Sequence, residues 1–239
     1  MTENKKENLN NRMIKFLFEG APVRGACVQM AEEWQEMIKF HHYPENVAAL
    51  LGQFTAGALL LSSTIKFEGS LILQVKGSGP IAFIYAEVRN PMSVRAMAEI
   101  REGAEIKPEM DLQELINKDG KGLCALILDP KDRRPGVQPY QGMVSLESNS
   151  VAENLENYMA KSEQLETKLY LAADSKKLGG LVIQKMPSVG GNVSEISDPD
   201  AWGRILQLAH TVTKDELLNV PATDVLHRLF WQGKLVPVA

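Results

Sequence analysis

Cysteine is scarce: Cys27 and Cys124 are the only two in 239 residues. Two are too few for the disulfide framework of a small secreted domain, and too few for a zinc site unless histidines join them. They show no C-x-x-C spacing, and Cys124 lies in an apolar run where a thiol behaves as a small hydrophobe. An excess of positive charge is missing too. The 26 Lys and Arg stand against 30 Asp and Glu, a net charge of −4. That disfavours a broad basic face for nucleic acid. The apolar stretch from Met13 to Phe18 contains Lys15 and is too short for the core of a secretory signal. These absences predict a reduced, cytoplasmic protein.

What is present is ordinary globular usage, 44% hydrophobic and 23% charged residues. The length fits one large domain, or one domain with an appendage. Val47 to Ile65 is the one long run without a charge. Its Gln53, Thr55, Ser62, Ser63 and Thr64, and the absence of flanking Lys or Arg clusters, argue against a membrane span. A helix opened by Pro44 and buried on nearly all faces explains the run.

Alternation predicts strands at Ile14–Phe18, Val23–Val28, Leu71–Val75, Ile81–Tyr85 and Val94–Arg101. Further strands are expected at Gly122–Asp129, Tyr140–Glu147, Lys168–Ala172 and Leu181–Met186, the last two parted by Gly179-Gly180. Trp34, Met37, Ile38 and His41 share one helical face, which makes His41 a core residue. Asp111 with Glu114, Ser150 with Glu153 and Thr213 with Glu216 are capping-box patterns. Strands dominate first and helices last, so the predicted class is α+β, a mixed β-sheet core with packed helices and then a C-terminal helical region. The expected boundaries are 1–190 for the core and 191–239 for the helices.

Chemistry-bearing motifs do not assemble. Gly77-Ser78-Gly79 lacks the third glycine of a dinucleotide loop, and Pro80 removes a backbone donor, so a hairpin turn is the reading. His41 and His42 point about 100° apart on a helix and do not share a metal. No H-E-x-x-H and no G-x-S-x-G occurs. No catalytic residue and no metal ligand is assigned, and the chain is not expected to be an enzyme. An α+β enzyme with a spatially assembled site, or an interaction module without holding activity, are the alternatives.

Short segments spread along the chain carry a resemblance. They include Val23-Arg24-Gly25, Tyr43-Pro44, Lys66-Phe67-Glu68-Gly69 and Gly77-Ser78-Gly79-Pro80. Tyr140-Gln141-Gly142, Ser162-Glu163-Gln164-Leu165, Gly179-Gly180 with Gln184, Met186-Pro187, Glu216-Leu217-Leu218, Val225-Leu226, Arg228-Leu229 and Phe230 continue it. In this order they resemble the 33-kilodalton heat-shock chaperone family, the redox-regulated bacterial holdases. The resemblance implies an ATP-independent chaperone for unfolding proteins under oxidative or heat stress. It also implies an α+β core, a helical linker and a C-terminal domain whose four cysteines bind zinc as thiolates. This sequence stops at Ala239 without those cysteines, so no cofactor is expected in this chain, and a truncated form or a short homologue is implied. Bared linker surface predicts a homodimer, by exchange of the linker helices. The expected partners are unfolded clients, with no nucleic acid and no membrane. The client-binding candidates are Trp202, Ile205, Leu206, Leu217, Leu218, Val225, Leu226, Leu229, Phe230 and Trp231.

Overall fold

Short connections between alternating segments favour antiparallel neighbours, and the described strands form two wholly antiparallel five-stranded sheets. The computed structural model describes residues 12–65, 67–89, 93–132, 138–186, 198, 200–231 and 233–238. Sheet A has the order β10-β1-β2-β9-β8, and sheet B the order β5-β4-β3-β6-β7. In sheet A the strands are β1 (Arg12–Phe18), β2 (Val23–Met30), β8 (Thr167–Ala173), β9 (Leu178–Lys185) and β10 (Leu235–Val238). In sheet B they are β3 (Gly69–Lys76), β4 (Ile81–Arg89), β5 (Ser93–Ile100), β6 (Leu123–Pro130) and β7 (Tyr140–Val144). The α+β class therefore holds, with two separate sheets where one mixed core was expected. The expected 190/191 boundary lies outside the described residues.

The uncharged run is α2 (Glu45–Thr64). It packs against β2, β8 and β9 of sheet A and against β3, β4 and β5 of sheet B. Apolar contact on both sides explains a helix without a polar face. It is long and apolar enough to cross a membrane, and most of it is buried between the sheets. Two glycines let neighbours approach: a Cβ on Gly52 would lie 2.4 Å from the Ala173 Cβ, and one on Gly57 2.7 Å from a Leu155 methyl. The helices α1 (Glu32–Ile38) and α4 (Val151–Lys161) flank it. Trp34 anchors α1 by donating from Nε1 to the Asp174 carbonyl at 2.8 Å. Because α1 stops at Ile38, His41 is exposed, stacked on Tyr43, and not in the core.

Sheet A is buried on both faces, which is why β2 and β9 read as nearly continuous apolar runs. Ala26, Val28 and Val182 face α2, while Cys27, Leu181 and Ile183 face the other way. That second face is covered by α5 (Ala201–Ala209), α6 (Lys214–Asn219) and α7 (Ala222–Phe230). The short helix α3 (Leu112–Ile116) packs under the β3–β4 turn, where Ser78 N donates to the Ile116 carbonyl. Arg101 closes the same turn by donating to the Gly77 and Gly79 carbonyls at 2.7 and 3.0 Å. Gly77-Ser78-Gly79 is thus a braced hairpin turn.

Two sheet edges are blocked by side chains. The Tyr43 hydroxyl donates to the Ala98 carbonyl and accepts from the Ala98 N–H on edge strand β5, at 2.9 and 3.0 Å. Glu156 accepts the Leu169 N–H of edge strand β8 at 2.8 Å. Such blocks prevent pairing of an open edge with another chain.

Candidate functional site

The helices α5, α6 and α7 are 9, 6 and 9 residues long. Helices of this length are marginal in water on their own, so their order rests on the sheet beneath them. Their apolar stripes meet Phe16, Phe18, Val23, Cys27, Leu181 and Ile183 in a second hydrophobic cluster, on the side of sheet A away from α2. Phe18 and Phe230 pack edge to face with ring centroids 5.0 Å apart, and Phe16 sits edge-on to Phe18 at 5.6 Å. Gly179 lets α6 descend onto β9, since a Cβ there would lie 2.2 Å from the Leu217 carbonyl oxygen. Gly180, on the opposite face, accommodates a Leu60 methyl of α2 in the same way. The glycine pair lies inside β9, whereas the sequence pattern predicts a break between β8 and β9 there. The β8–β9 turn spans 174–177, where Asp174 N donates to the Lys177 carbonyl.

Few polar contacts hold the array. The buried Gln29 donates from Nε2 to the Leu217 and Val220 carbonyls, at 2.9 and 2.6 Å. Its Oε1 accepts the Ala222 N–H at 2.8 Å. One amide thereby ties off the end of α6 and the start of α7. Thr213 and Glu216 form the expected capping box of α6. Glu216 also pairs with Arg228 of α7, Nε to Oε1, at 2.5 Å. The Thr213 N–H is the first cause holding the Glu216 carboxyl below the usual carboxylate range. Burial opposes this, and the Thr213 hydroxyl and Arg228 reinforce it.

Of the client-binding candidates, Ile205, Leu217, Val225, Leu226, Leu229 and Phe230 are buried in this cluster. Trp202, Leu206 and Leu218 are half-buried at its rim. Trp231 alone is open, 67% exposed at the end of α7. The structure brings nine of the ten to one seam between sheet A and the helices. While that seam is closed, it offers little apolar surface.

A second surface escapes a reading of the sequence. Register places Met97, Tyr85, Gln74, Ala125 and Met143 in one row across the outer face of sheet B. Met143 and, beside this row, Leu123 are 53% and 55% exposed. Leu123, Ala125 and Ile127 on the second parity of β6 are the available signal. Apolar groups scattered on both parities hide it.

Both thiols are fully enclosed, and burial pushes Cys27 and Cys124 up to about 12. Among the described residues, no group of three His, Cys, Asp or Glu side chains is placed to hold a metal.

Residues 11–238 match the family described as Hsp33 protein. The chain is 37% identical over 223 residues to the 33 kDa chaperonin of Methylobacillus flagellatus, covering 93% of this chain and 72% of that protein. It is 41% identical over 224 residues to the 33 kDa chaperonin of Nitrosococcus oceani, covering 93% and 72%. The crystal structure of the 33 kDa chaperonin from Thermotoga maritima is similar with a TM-score of 0.71 at 20% identity, over 95% of this chain and 78% of that one.

Proposed function

Because the chain belongs to the Hsp33 family, we propose that it acts as an ATP-independent holding chaperone whose client surface is the seam between sheet A and α5–α7. The observation that carries this reading is the second hydrophobic cluster, divided between a sheet face and three short helices. Loosening the helices bares two complementary apolar surfaces at once, the sheet face and the inner stripes. Flexible apolar surface of this kind accepts many sequences. Neither fold nor holding needs a nucleophile, and the enclosed thiols supply none. In this reading the chain is not an enzyme, carries no cofactor of its own and works in the cytoplasm on unfolded clients. It engages neither nucleic acid nor membrane.

Redox control is a property of this family. In this chain Cys27 and Cys124 are enclosed thiols, so the control does not act through them. The exposed Trp231 beside the array suits a homodimer formed by exchange of the helices. A monomeric mass by light scattering at working concentration would exclude that dimer.

The test is suppression of light scattering from a thermally aggregating client, without ATP, in dithiothreitol and again after peroxide. Equal suppression in both supports constitutive holding. Absence of suppression in both overturns the reading.

A further inference from the structure

Where α2 stops, residues of both sheets line a cavity of about 480 Å³. That size lies within the range of small-ligand sites. Leu71, Val88 and Leu128 of sheet B line it, with Ile65 and Phe67 from the connection after α2. Sheet A contributes Leu17 and two cations, Lys15 and Arg24. The walls are therefore apolar along sheet B and carry cationic side chains along sheet A, with Ser62, Ser63 and Thr64 of α2 between them.

Arg24 is the unusual member. It is half-buried, and burial lowers its pKa. Its Nε and Nη2 both donate to Gln184 Oε1, at 2.9 and 2.5 Å. Gln184 is fully buried and is itself pinned through Nε2 to the Thr167 hydroxyl at 2.8 Å. The guanidinium is thus oriented by a neutral amide. Among the described residues no carboxylate pairs with it. A guanidinium has five N–H donors in a fixed fork. Two are spent on Gln184. The Nη1 hydrogens and the second Nη2 hydrogen remain, and Nη1 with Nη2 forms the end-on fork that matches a carboxylate.

We propose that this cavity binds a straight-chain fatty carboxylate, its head on Arg24 and its tail along Ile65, Phe67, Leu71, Val88 and Leu128. Charge complementarity selects the head, and the apolar wall selects an unbranched tail over a polar anion. A competing account assigns Arg24 to the C-terminal end of α2, which carries no basic residue in its last turn and attracts cations. That account requires no ligand. The proposed site is independent of the chaperone reading, and its test involves no client.

The experiment is calorimetric titration of the whole chain with decanoate below its micelle concentration, with 1-decanol as the uncharged probe. Saturable binding of decanoate is expected, weaker by about tenfold or more in Arg24→Gln, as for loss of a charged hydrogen bond. Decanol should bind more weakly than decanoate. Val88→Phe fills the cavity without touching Arg24 and should also abolish binding, which keeps the test open if Arg24→Gln fails to fold. No saturable binding to the folded chain overturns the proposal. Equal affinity for decanol and decanoate, with Arg24→Gln indifferent, overturns it as well. Suppression of aggregation by a chain that ignores decanoate would sink this site and leave the chaperone reading standing.

Discussion

The side-chain amide of Gln29 donates to the Leu217 carbonyl at 2.9 Å, between residues 188 positions apart in sequence. The same side chain serves Val220 and Ala222, so one strand residue fixes the corner between α6 and α7. Each group orphaned in a buried site costs about 1–3 kcal/mol. Gln29→Leu is therefore expected to destabilise the chain by roughly 2–4 kcal/mol. The loss should be local first. Hydrogen exchange in 213–230 should accelerate well beyond that in α2, and holding activity should rise as the seam opens. Unchanged protection of that segment would show that the corner does not depend on Gln29.

Two glycines separate close approach from flexibility. Gly179→Ala sets a methyl against the Leu217 carbonyl, a backbone atom that cannot swing aside, and overpacking of this kind costs roughly 1–3 kcal/mol. Gly203 lies in α5, and a methyl added there would meet nothing within 4 Å. Gly203→Ala should therefore stabilise by about 0.5–1 kcal/mol through helix propensity. Denaturant midpoints moving in opposite directions are the expected result. Two shifts of the same sign would refute the packing argument.

These glycines also mark how far the sequence can be read. The helix α2 is legible because its uncharged length leaves no other buried element. The capping boxes at Asp111 and Thr213 are legible because they are local and both are present. At Ser150 the hydroxyl caps Glu153 N as expected. The Glu153 carboxylate turns to the Ser148 hydroxyl instead of completing the box. Gly179-Gly180 reads as a turn because glycine serves both turns and close approaches, and only the position of α6 tells them apart. Gln29 gives a faint signal, a lone amide on the buried parity of an apolar strand. Its partners lie near the other end of the chain, where no local pattern reaches. The ten client candidates are large apolar residues of the C-terminal helical region, and a sequence shows such residues without showing what covers them.

Acid should loosen the array. The Glu216 carboxyl is held below its ordinary range in the folded chain, first by the Thr213 N–H and also by Arg228. A group with a depressed folded pKa contributes stability above its unfolded pKa, and that contribution is lost as pH falls through the folded value. The array should therefore weaken as pH drops below the ordinary Glu value of about 4.3. Fluorescence of Trp202 and Trp231 in the array should report the change. Glu216→Gln should flatten this part of the profile. An unaltered acid transition in Glu216→Gln would assign it to other carboxylates.

Peroxide should leave both cysteines untouched in the native chain. A thiol held up at about 12 by burial has almost no thiolate at neutral pH, and the thiolate is the reactive form. Aromatic disulfide reagents should label neither thiol under native conditions and both after denaturation. Fast native labelling of Cys27 would mean that the α5–α7 cover opens often, because Cys27 lies beneath it.

The seam and the outer face of sheet B make different demands on a client, and substitutions can separate them. Leu226 and Phe230 are buried against sheet A, and fully burying each such side chain is worth about 1.5–3 kcal/mol. Leu226→Ser with Phe230→Ser should loosen α7 and also remove apolar surface from it. Client capture through the seam then falls although the array is more open. Met143→Lys with Leu123→Lys alters residues that are already exposed on sheet B, so the fold should be nearly unaffected. If clients bind at the seam, the serine pair weakens suppression of aggregation severalfold and the lysine pair leaves it intact. The opposite pattern would move the client surface to sheet B, where Met97, Leu123 and Met143 stand open without any change in the array.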